Sequence, residues 1–553
     1  MIDKWGFLGT ERLYNGPWSA FERAMGRLLI HRGWEHVAVV GGSGDNGADV
    51  IASSGNNEMV YQVKFRSNGG AVGKEIIDDI KRAMEFYGIN NGCVVTNGYL
   101  SKGALDYLNK LKQNAYNISF IEGRKLLSIY ERLPQKPAVN YDMREYQALA
   151  LNSILQSFSR GDRAALLVLA TGLGKTFVAG KFLSHIYDKY GDMKVLVLAN
   201  KDDLIKQFDS ALWSHLPKNV ATHIWDEKEK PMFNEGTTFA TFQSVFNHIK
   251  ANKPIEDYNI VIIDECHHAG ADTYKTVIEH INPDFLLGMT ATPFRTDEKD
   301  ITEIFGQPVF SMDIIKGMKH GFLARVDYRI FADNIDWSFV ESNSQNSLTV
   351  KDLNKKLFIP KRDDEIINTM KSAWVKENIN RAILFCASIS HCQQMEKNLL
   401  SYGFKARALY AGLDSWAREK YLREFRQGKI DILLAVDILN EGIDVPEVDL
   451  VIFLRVTHSR IIFLQQLGRG LRLSSGKTKV TVLDFVTDIK RVASLLSLSK
   501  QNKRFKEEGI EILDLNNLDI QFSDATSESL FESIIKDKFE IEDYEDTAEL
   551  FIP

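Results

Sequence analysis

Two series of short apolar runs dominate the hydrophobic pattern of the chain. The first series includes residues 165–169, 194–198 and 260–263, and its runs alternate with helix-like segments. Short continuous runs rich in Val, Ile and Leu are typical of strands buried on both faces of a parallel sheet. A second series, from 382–385 to 480–484, repeats the pattern. The sequence therefore predicts an α/β protein with two doubly wound parallel-sheet lobes.

The chain before the first series has a different pattern and predicts a separate N-terminal α/β domain. An amphipathic helix begins near Phe21, strands and alternating elements follow, and Pro134 and Pro137 interrupt the pattern. The more polar residues 331–360 indicate a connection or insertion between the lobes. We expect four units, over residues 1–135, 138–300, 301–500 and 501–553.

Composition and charge narrow the class of protein. A chain of 553 residues with 44% hydrophobic and 26% charged residues is an ordinary globular protein with several cores. The net charge of -6 gives no overall attraction to a polyanion, so nucleic acid would have to meet local basic surfaces. The four cysteines form no CxxC pair, which argues against a disulfide framework or a structural zinc.

The two ends of the chain carry no membrane signal. The first residues lack the basic patch followed by an apolar core that is typical of a signal peptide. No apolar run reaches the roughly 18 residues of a membrane span. We therefore expect a cytoplasmic protein that does not enter a membrane.

After about Asn502 the chain becomes acidic, and it ends either as a solvated tail or as a segment that docks on a protein partner.

Residues 170–176, with the sequence ATGLGKT, predict a phosphate-binding loop. They follow an apolar strand and precede a helix, which is the context that such a loop requires. Gly172 and Gly174 would let backbone N–H groups approach the phosphates of ATP. Lys175 would reach the β and γ oxygens, and the Thr176 hydroxyl would hold Mg²⁺.

Two adjacent carboxylates end a second apolar strand. Asp264 and Glu265 follow the run at 260–263. Asp264 is expected to bind Mg²⁺, while Glu265 orients and deprotonates the attacking water. The alternative is that these are solvated charges at a strand end. The presence of the phosphate loop earlier in the chain argues against that alternative.

Together these segments resemble the superfamily 2 helicases, and further motifs match in the expected order. Gln147 lies in a segment similar to the adenine-reading motif, and residues 290–293 (TATP) resemble the motif that couples the lobes. In the second lobe, residues 385–388 resemble motif IV, 440–446 motif V and 465–472 motif VI. Within the superfamily, the likeness is greatest to helicase subunits of type I and type III restriction enzymes and to XPB-like helicases.

The resemblance assigns roles to the second lobe. Gly442 and Asp444 of motif V would contribute to the nucleotide site. Arg469 and Arg472 of motif VI would neutralise charge on the transferring phosphate, because guanidinium groups are planar and permanently charged. Such arginines act only when the lobes close, so hydrolysis would be tied to lobe movement along bound DNA.

The N-terminal domain contains a second candidate site. Asp49 ends a glycine-rich turn, and a strand follows with Gln62 and Lys64 on the same face. Asp49, the Gln62 side chain and the Val63 carbonyl can hold a divalent metal, with Lys64 positioning water or stabilising the phosphate. This pattern predicts phosphodiester hydrolysis.

The arrangement resembles the Mrr-like restriction endonucleases of the PD-(D/E)xK group, and the likeness extends over about residues 15–133. It implies that Glu22, on the first long helix, assists the metal site. Gln62 stands where a carboxylate is commoner in the wider group, although Mrr-like members share the amide. Asp45, in the glycine-rich turn, is either a turn former or a catalytic residue.

Both resemblances favour an ATP-dependent DNA motor fused to a Mg²⁺-dependent endonuclease that restricts foreign DNA such as phage DNA. Two alternatives stay open. The chain could process damaged or branched DNA in repair. It could also be an NTP-gated DNA sensor whose N-terminal domain only binds DNA, because a fold alone does not establish chemistry.

Overall fold

The structure is a computed structural model that describes most of the chain in segments. The described residues are 6–41, 47–113, 116–137, 142–231, 235–266, 272–291, 301–330, 360–410, 412–413, 415–436, 448–454, 477, 479–485 and 518–522. They form one mixed sheet and two parallel sheets, flanked by helices, together with a two-stranded sheet. The predicted α/β class is confirmed.

The N-terminal domain is built around one mixed sheet of five strands. Its elements are α1 (Thr10–Asn15), α2 (Trp18–His31), β1 (His36–Val39), β2 (Val50–Ser54), β3 (Asn57–Lys64), β4 (Ala71–Val72), α3 (Glu75–Tyr87), β5 (Asn91–Thr96), β6 (Tyr99–Leu100), α4 (Lys102–Gln113), β7 (Asn117–Ile121) and α5 (Gly123–Arg132). The strand order is β1-β2-β3-β5-β7, with β1, β2 and β3 antiparallel and β3, β5 and β7 parallel.

Residues of β3 alternate between the two faces of this sheet. Tyr61 and Val63 pack in the core formed with α2 and α5, whereas Val60 packs in the core formed with α3 and α4. Because side chains alternate along a strand, Gln62 and Lys64 lie on the same face as Val60.

The first lobe contains a seven-stranded sheet in which every neighbouring pair is parallel. Its elements are α6 (Glu145–Arg160), β8 (Ala164–Leu169), α7 (Lys175–Tyr190), β9 (Lys194–Ala199), α8 (Asp202–Leu212), β10 (Thr222–Trp225), β11 (Gly236–Thr241), α9 (Phe242–Lys250), β12 (Ile260–Asp264), α10 (Asp272–Ile281), β13 (Phe285–Thr290), α11 (Thr302–Phe305), β14 (Pro308–Met312) and α12 (Ile314–Lys319). The strand order is β10-β11-β9-β12-β13-β8-β14. Leu167 and Val168 of β8 lie in different cores on opposite faces, as the continuous apolar run predicts.

The second lobe contains another parallel sheet of seven strands. Its elements are β15 (Arg325–Ile330), α13 (Pro360–Lys376), β16 (Ala382–Cys386), α14 (Ile389–Ser401), β17 (Ala406–Leu409), α15 (Ser415–Arg426), β18 (Ile432–Ala435), β19 (Leu450–Leu454), β20 (Lys479–Asp484) and β21 (Leu518–Phe522). The order is β17-β18-β16-β19-β20-β15-β21. The apolar runs predicted as strands in both lobes are therefore strands.

The unit boundaries stay predictions, but two strands that follow an expected boundary pair with the sheet of the preceding unit. β14 pairs with β8 of the first lobe, although it follows the expected boundary at 300. β21 pairs with β15 of the second lobe, although it falls in the segment expected to be an acidic tail. Parallel pairing joins segments that are distant in sequence, so local composition does not reveal it.

No helix in the described part of the chain is both long and apolar enough to cross a bilayer.

Candidate active sites

The phosphate loop lies between β8 and α7, at the carboxyl edge of the first parallel sheet. Gly172 and Gly174 have φ values of 88° and 89°, a left-handed conformation that favours glycine. A Cβ on Gly174 would also stand 2.8 Å from Nε2 of Gln147. The loop leads into the N-terminus of α7, whose first residues are Lys175 and Thr176. This arrangement presents N–H groups and the positive end of a helix to an anion.

Gln147 supports the loop in this structure. Its Nε2 donates to the Leu173 carbonyl at 3.0 Å, and its Oε1 accepts from the Arg144 backbone N–H at 3.0 Å. The Tyr146 hydroxyl donates to the same carbonyl at 3.0 Å. Both side chains therefore fix the shape of the loop, while the adenine-reading role of Gln147 stays a prediction.

The two carboxylates expected beside the loop lie at the same edge of the sheet. Asp264 is the last residue of β12, and its Oδ1 accepts from the Glu265 backbone N–H at 3.1 Å. Glu265 has a φ of 48°, a conformation that costs energy for a residue with a side chain. Its Oε1 lies 3.1 Å from Nζ of Lys175, and both side chains are largely buried. The structure thus brings Lys175 and Glu265 into direct contact.

Cys266 follows these carboxylates and is fully buried. Burial, and then the charges of Glu265 and Asp264, raise the pKa of its thiol well above the ordinary value. The side chain therefore stays a neutral thiol and acts as part of the core.

Several predicted motor residues lie outside the described residues, namely Thr292, Gly442, Asp444, Arg469 and Arg472. Within the described chain, Thr290 ends β13 and is buried. In motif IV, Ser388 caps α14 by accepting a hydrogen bond from the His391 backbone N–H at 3.2 Å.

The predicted site of the N-terminal domain is centred on Asp49, immediately before β2. Asp49 is buried, and its Oδ2 accepts from Nε2 of Gln62 at 2.6 Å and from the Val63 backbone N–H at 2.6 Å. Its own backbone N–H donates to the Tyr61 carbonyl at 2.9 Å. The hairpin of β2 and β3 therefore brings together the residues that the sequence singled out.

Glu22 reaches the same place from α2. A Cβ added to Gly41 would stand 2.5 Å from Oε2 of Glu22 and 3.4 Å from Oδ1 of Asp49. The two carboxylates therefore meet beside Gly41, and only the missing side chain of glycine leaves room for them. Asp45 lies outside the described residues.

The donor set fits a divalent cation. Gln62 Oε1 is buried without a hydrogen-bond partner, beside two buried carboxylates. Hard cations take such carboxylate and amide oxygens as ligands. Among the described residues no three His, Cys, Asp or Glu side chains cluster as metal ligands. A cation at this place would therefore need an oxygen such as that of the Gln62 amide beside the two carboxylates. The Val63 carbonyl ligand stays a prediction, and Lys64 lies two residues along the same face of β3.

One set of buried charges was missed by sequence reasoning. Arg12, Arg23 and Arg27 of the N-terminal domain are directed at the first lobe, where Asp209 and Glu229 are among their partners. Burial lowers the pKa of Arg12 and of Arg27 to about 10, so both remain cations near neutral pH. The four-residue spacing of Arg23 and Arg27 was the available signal, but spacing does not tell a solvated helix face from a docked one.

Three known protein families match successive parts of the chain. A restriction endonuclease family profile matches residues 13–130. A profile described as the type III restriction enzyme res subunit matches 140–295, and the helicase conserved C-terminal domain matches 364–474. The chain therefore matches a restriction endonuclease family at its N-terminus and two helicase families after it, and both resemblances stated from the motifs are confirmed.

Individual relatives agree with this class. The endonuclease subunit of the type I restriction enzyme EcoAI from Escherichia coli is 24% identical over 425 residues, which cover 71% of this chain and 51% of that protein. A Saccharomyces cerevisiae protein described as an ATP-dependent helicase, IRC3, is 24% identical over 75% of this chain and 59% of its own length. The chain thus spans little more than half the length of these relatives.

One solved structure shares the fold over most of the chain. It is the ATP-dependent type ISP restriction-modification enzyme LlaBIII bound to DNA, with a TM-score of 0.54 at 17% identity. The match covers 93% of this chain and 42% of that one. The fold likeness therefore extends over nearly the whole chain.

Proposed function

We propose that the protein is an ATP-driven motor on DNA whose N-terminal domain cuts DNA with the help of Mg²⁺, and that it restricts foreign DNA such as phage DNA. The observation that carries this proposal is that one chain holds both the Lys175–Glu265 contact at a phosphate loop and the Asp49–Gln62–Glu22 cluster. The similarity to a type I and a type ISP restriction enzyme supports the restriction role.

The motor reaction follows from the pairing of Lys175 with Glu265. ATP phosphates at the start of α7 would compete with Glu265 for the Lys175 ammonium group, because they carry more negative charge. Glu265 would then be released to orient water and take its proton. Thr176 and Asp264 would hold Mg²⁺, which supplies charge neutralisation at the phosphates. Gly442, Asp444, Arg469 and Arg472 would complete the site from the second lobe.

The nuclease reaction uses the cluster beside Gly41. Asp49, Glu22, Gln62 and the Val63 carbonyl would hold the cation, whose chemistry is to polarise the scissile phosphate and acidify water. Lys64 would orient the attacking water or stabilise the negative charge of the phosphate in the transition state.

Two variants test these assignments in the full-length protein, with plasmid, Mg²⁺ and ATP. Lys64→Ala should abolish cutting and leave ATP hydrolysis intact, whereas Lys110→Ala, an exposed lysine of the same domain, should change neither. Lys175→Ala should abolish hydrolysis, whereas Lys189→Ala, at the exposed end of the same helix, should not. Cutting by Lys64→Ala at the wild-type rate would leave the N-terminal domain as a DNA-binding module.

A protein partner is a further part of the proposal. The acidic segment after Ser523 is the proposed docking site. Truncation there keeps β21, which ends at Phe522. Loss of a co-purifying protein on truncation is the expected result, and unchanged co-purification would contradict it.

A further inference from the structure

One side of α2 is docked on the first helicase lobe. Ser19, Arg23 and Arg27 are spaced four residues apart, so they lie along one face of the helix. Ser19 Oγ donates to Oε2 of Glu229 at 2.7 Å, and the Arg23 guanidinium donates to both Glu229 oxygens at 2.8 and 2.5 Å. Arg27 donates to main-chain carbonyls of residues 216–220 at 2.7 to 3.2 Å. This face is held by directed hydrogen bonds.

The acceptors on the lobe are themselves held in place. Asp209 is fully buried in α8, 3.6 Å from Arg23 Nε, and its Oδ1 accepts from Nε1 of Trp213 at 3.0 Å. Glu229 lies in a turn after β10, where its backbone N–H donates to Oδ1 of Asp226 at 2.7 Å. The Arg23 and Glu229 side chains are each only 13% exposed. A buried, two-pronged guanidinium–carboxylate contact fixes orientation as well as distance.

The residue that precedes Arg23 in the helix points to a different place. Glu22 is about 100° around α2 from Arg23. Its carboxylate stands beside Gly41 and Asp49, in the candidate nuclease site. Because a helix is stiff over one turn, the contact that fixes Arg23 also fixes the rotation of α2 and the position of Glu22.

We propose that Asp209 and Glu229 of the first helicase lobe complete the nuclease site by positioning Glu22 through Arg23. The proposal rests on the proposed function, since it needs a metal-dependent nuclease centre at Asp49 and Glu22. Arg23 is a positioning residue, and the two lobe carboxylates act on the cut from a different domain of the chain.

The same part of the lobe also touches the nucleotide site. Shortly after α8, His215 packs on Phe177, with ring centroids 5.1 Å apart, and a Cβ on Gly180 would meet the His215 ring at 2.5 Å. Phe177 directly follows Thr176. The part of the first lobe that holds α2 is therefore in contact with α7, the helix that begins at the phosphate loop.

The test uses Glu229→Gln and Asp209→Asn in the full-length protein. Each is expected to lower plasmid cutting about 10- to 100-fold and to raise the Mg²⁺ concentration needed for half-maximal cutting, as loss of groups that orient metal ligands does. ATP hydrolysis should be unchanged, because neither residue belongs to the nucleotide site. The matched control is Asp162→Asn, an exposed carboxylate of the same lobe that pairs with Arg160.

A second readout separates positioning from loss of folding. Binding of Mn²⁺ is measured without nucleotide and without DNA, so that the nuclease site is observed independently of cutting. Arg23→Lys keeps the charge but not the two-pronged contact, and it should weaken Mn²⁺ binding while the thermal unfolding midpoint stays near that of the wild type. If Glu229→Gln unfolds the domain, as removal of a buried ion partner can, Arg23→Lys decides.

The outcomes distinguish the two proposals. Wild-type protein that neither binds Mn²⁺ without nucleotide nor cuts DNA overturns the nuclease function itself. Wild-type protein that does both, with Arg23→Lys and the lobe variants equal to it in Mn²⁺ binding and cutting, overturns only the positioning role. Weaker Mn²⁺ binding with intact ATP hydrolysis supports that role.

Discussion

Gly41→Ala is a single methyl group added between two carboxylates. The new Cβ would stand 2.5 Å from Oε2 of Glu22, whereas ordinary contact begins near 3.4 Å. The Glu22 carboxylate must therefore move by about 1 Å, and a displacement of that size at a reacting centre costs about 100-fold in rate. The atom that moves is the end of a flexible side chain, so the cost in folding free energy should be under about 1 kcal/mol.

The assay compares plasmid cutting, ATP hydrolysis and the unfolding midpoint of Gly41→Ala with those of the wild type. Gly103→Ala is the matched control, because its Cβ would meet nothing within 4 Å. Adding Glu22→Asp to Gly41→Ala shortens the acid and should restore part of the lost cutting. Cutting by Gly41→Ala at the wild-type rate would refute the reasoning, since Glu22 would then not need its observed position.

Three further predictions follow from buried and paired groups. Burial lowers the pKa of His31 to about 3 and of His215 to about 4, so both stay neutral in the folded chain while the unfolded chain gains protons below about 6.5. The free energy of unfolding should be highest above pH 6.5 and should fall by about 2 kcal/mol per histidine at pH 5. Denaturant midpoints at pH 7.5 and pH 5 measure this loss, and His31→Phe should reduce the difference between the two midpoints. Glu265→Gln should retain ATP binding, measured with a fluorescent analogue, and lose hydrolysis by about 10²- to 10⁴-fold. The four cysteines are buried and should react with a thiol reagent only after denaturation, so fast labelling of the native protein would contradict the described packing.

Both parallel sheets could be predicted because central strands such as β8 and β16 are continuous apolar runs. In β8 and β16 successive side chains enter cores on opposite faces, so every position of these strands must be apolar. The continuous apolar runs in the sequence show this directly. The nuclease cluster was predictable for a similar reason. Asp49 directly precedes β2, which pairs with β3 in one hairpin, and the alternation along β3 places Gln62 and Lys64 on one face.

The remaining features depend on tertiary packing. β14 and β21 join their sheets through parallel pairing with β8 and β15, which lie more than a hundred residues away in sequence. The φ of Glu265 is positive although the residue is not glycine, so only the surrounding structure imposes it. The docked face of α2 could not be predicted from the sequence either, because Arg23 and Arg27 have the spacing of solvated residues on any amphipathic helix.

The contacts of the endonuclease domain with the two lobes differ in kind. Towards the first lobe it presents buried arginines with directed partners, such as Arg23 on Glu229 and Arg27 on main-chain carbonyls. Towards the second lobe, the described residues contribute partly exposed contacts at 3.5 Å, from Arg423 and Gln427 to Glu58. Exposed contacts of this length are weak, whereas separating a buried charge from its partner is costly. If ATP closes the lobes as proposed, the endonuclease domain should therefore move with the first lobe, and the second lobe should move past Glu58 near the start of the strand that carries Gln62 and Lys64.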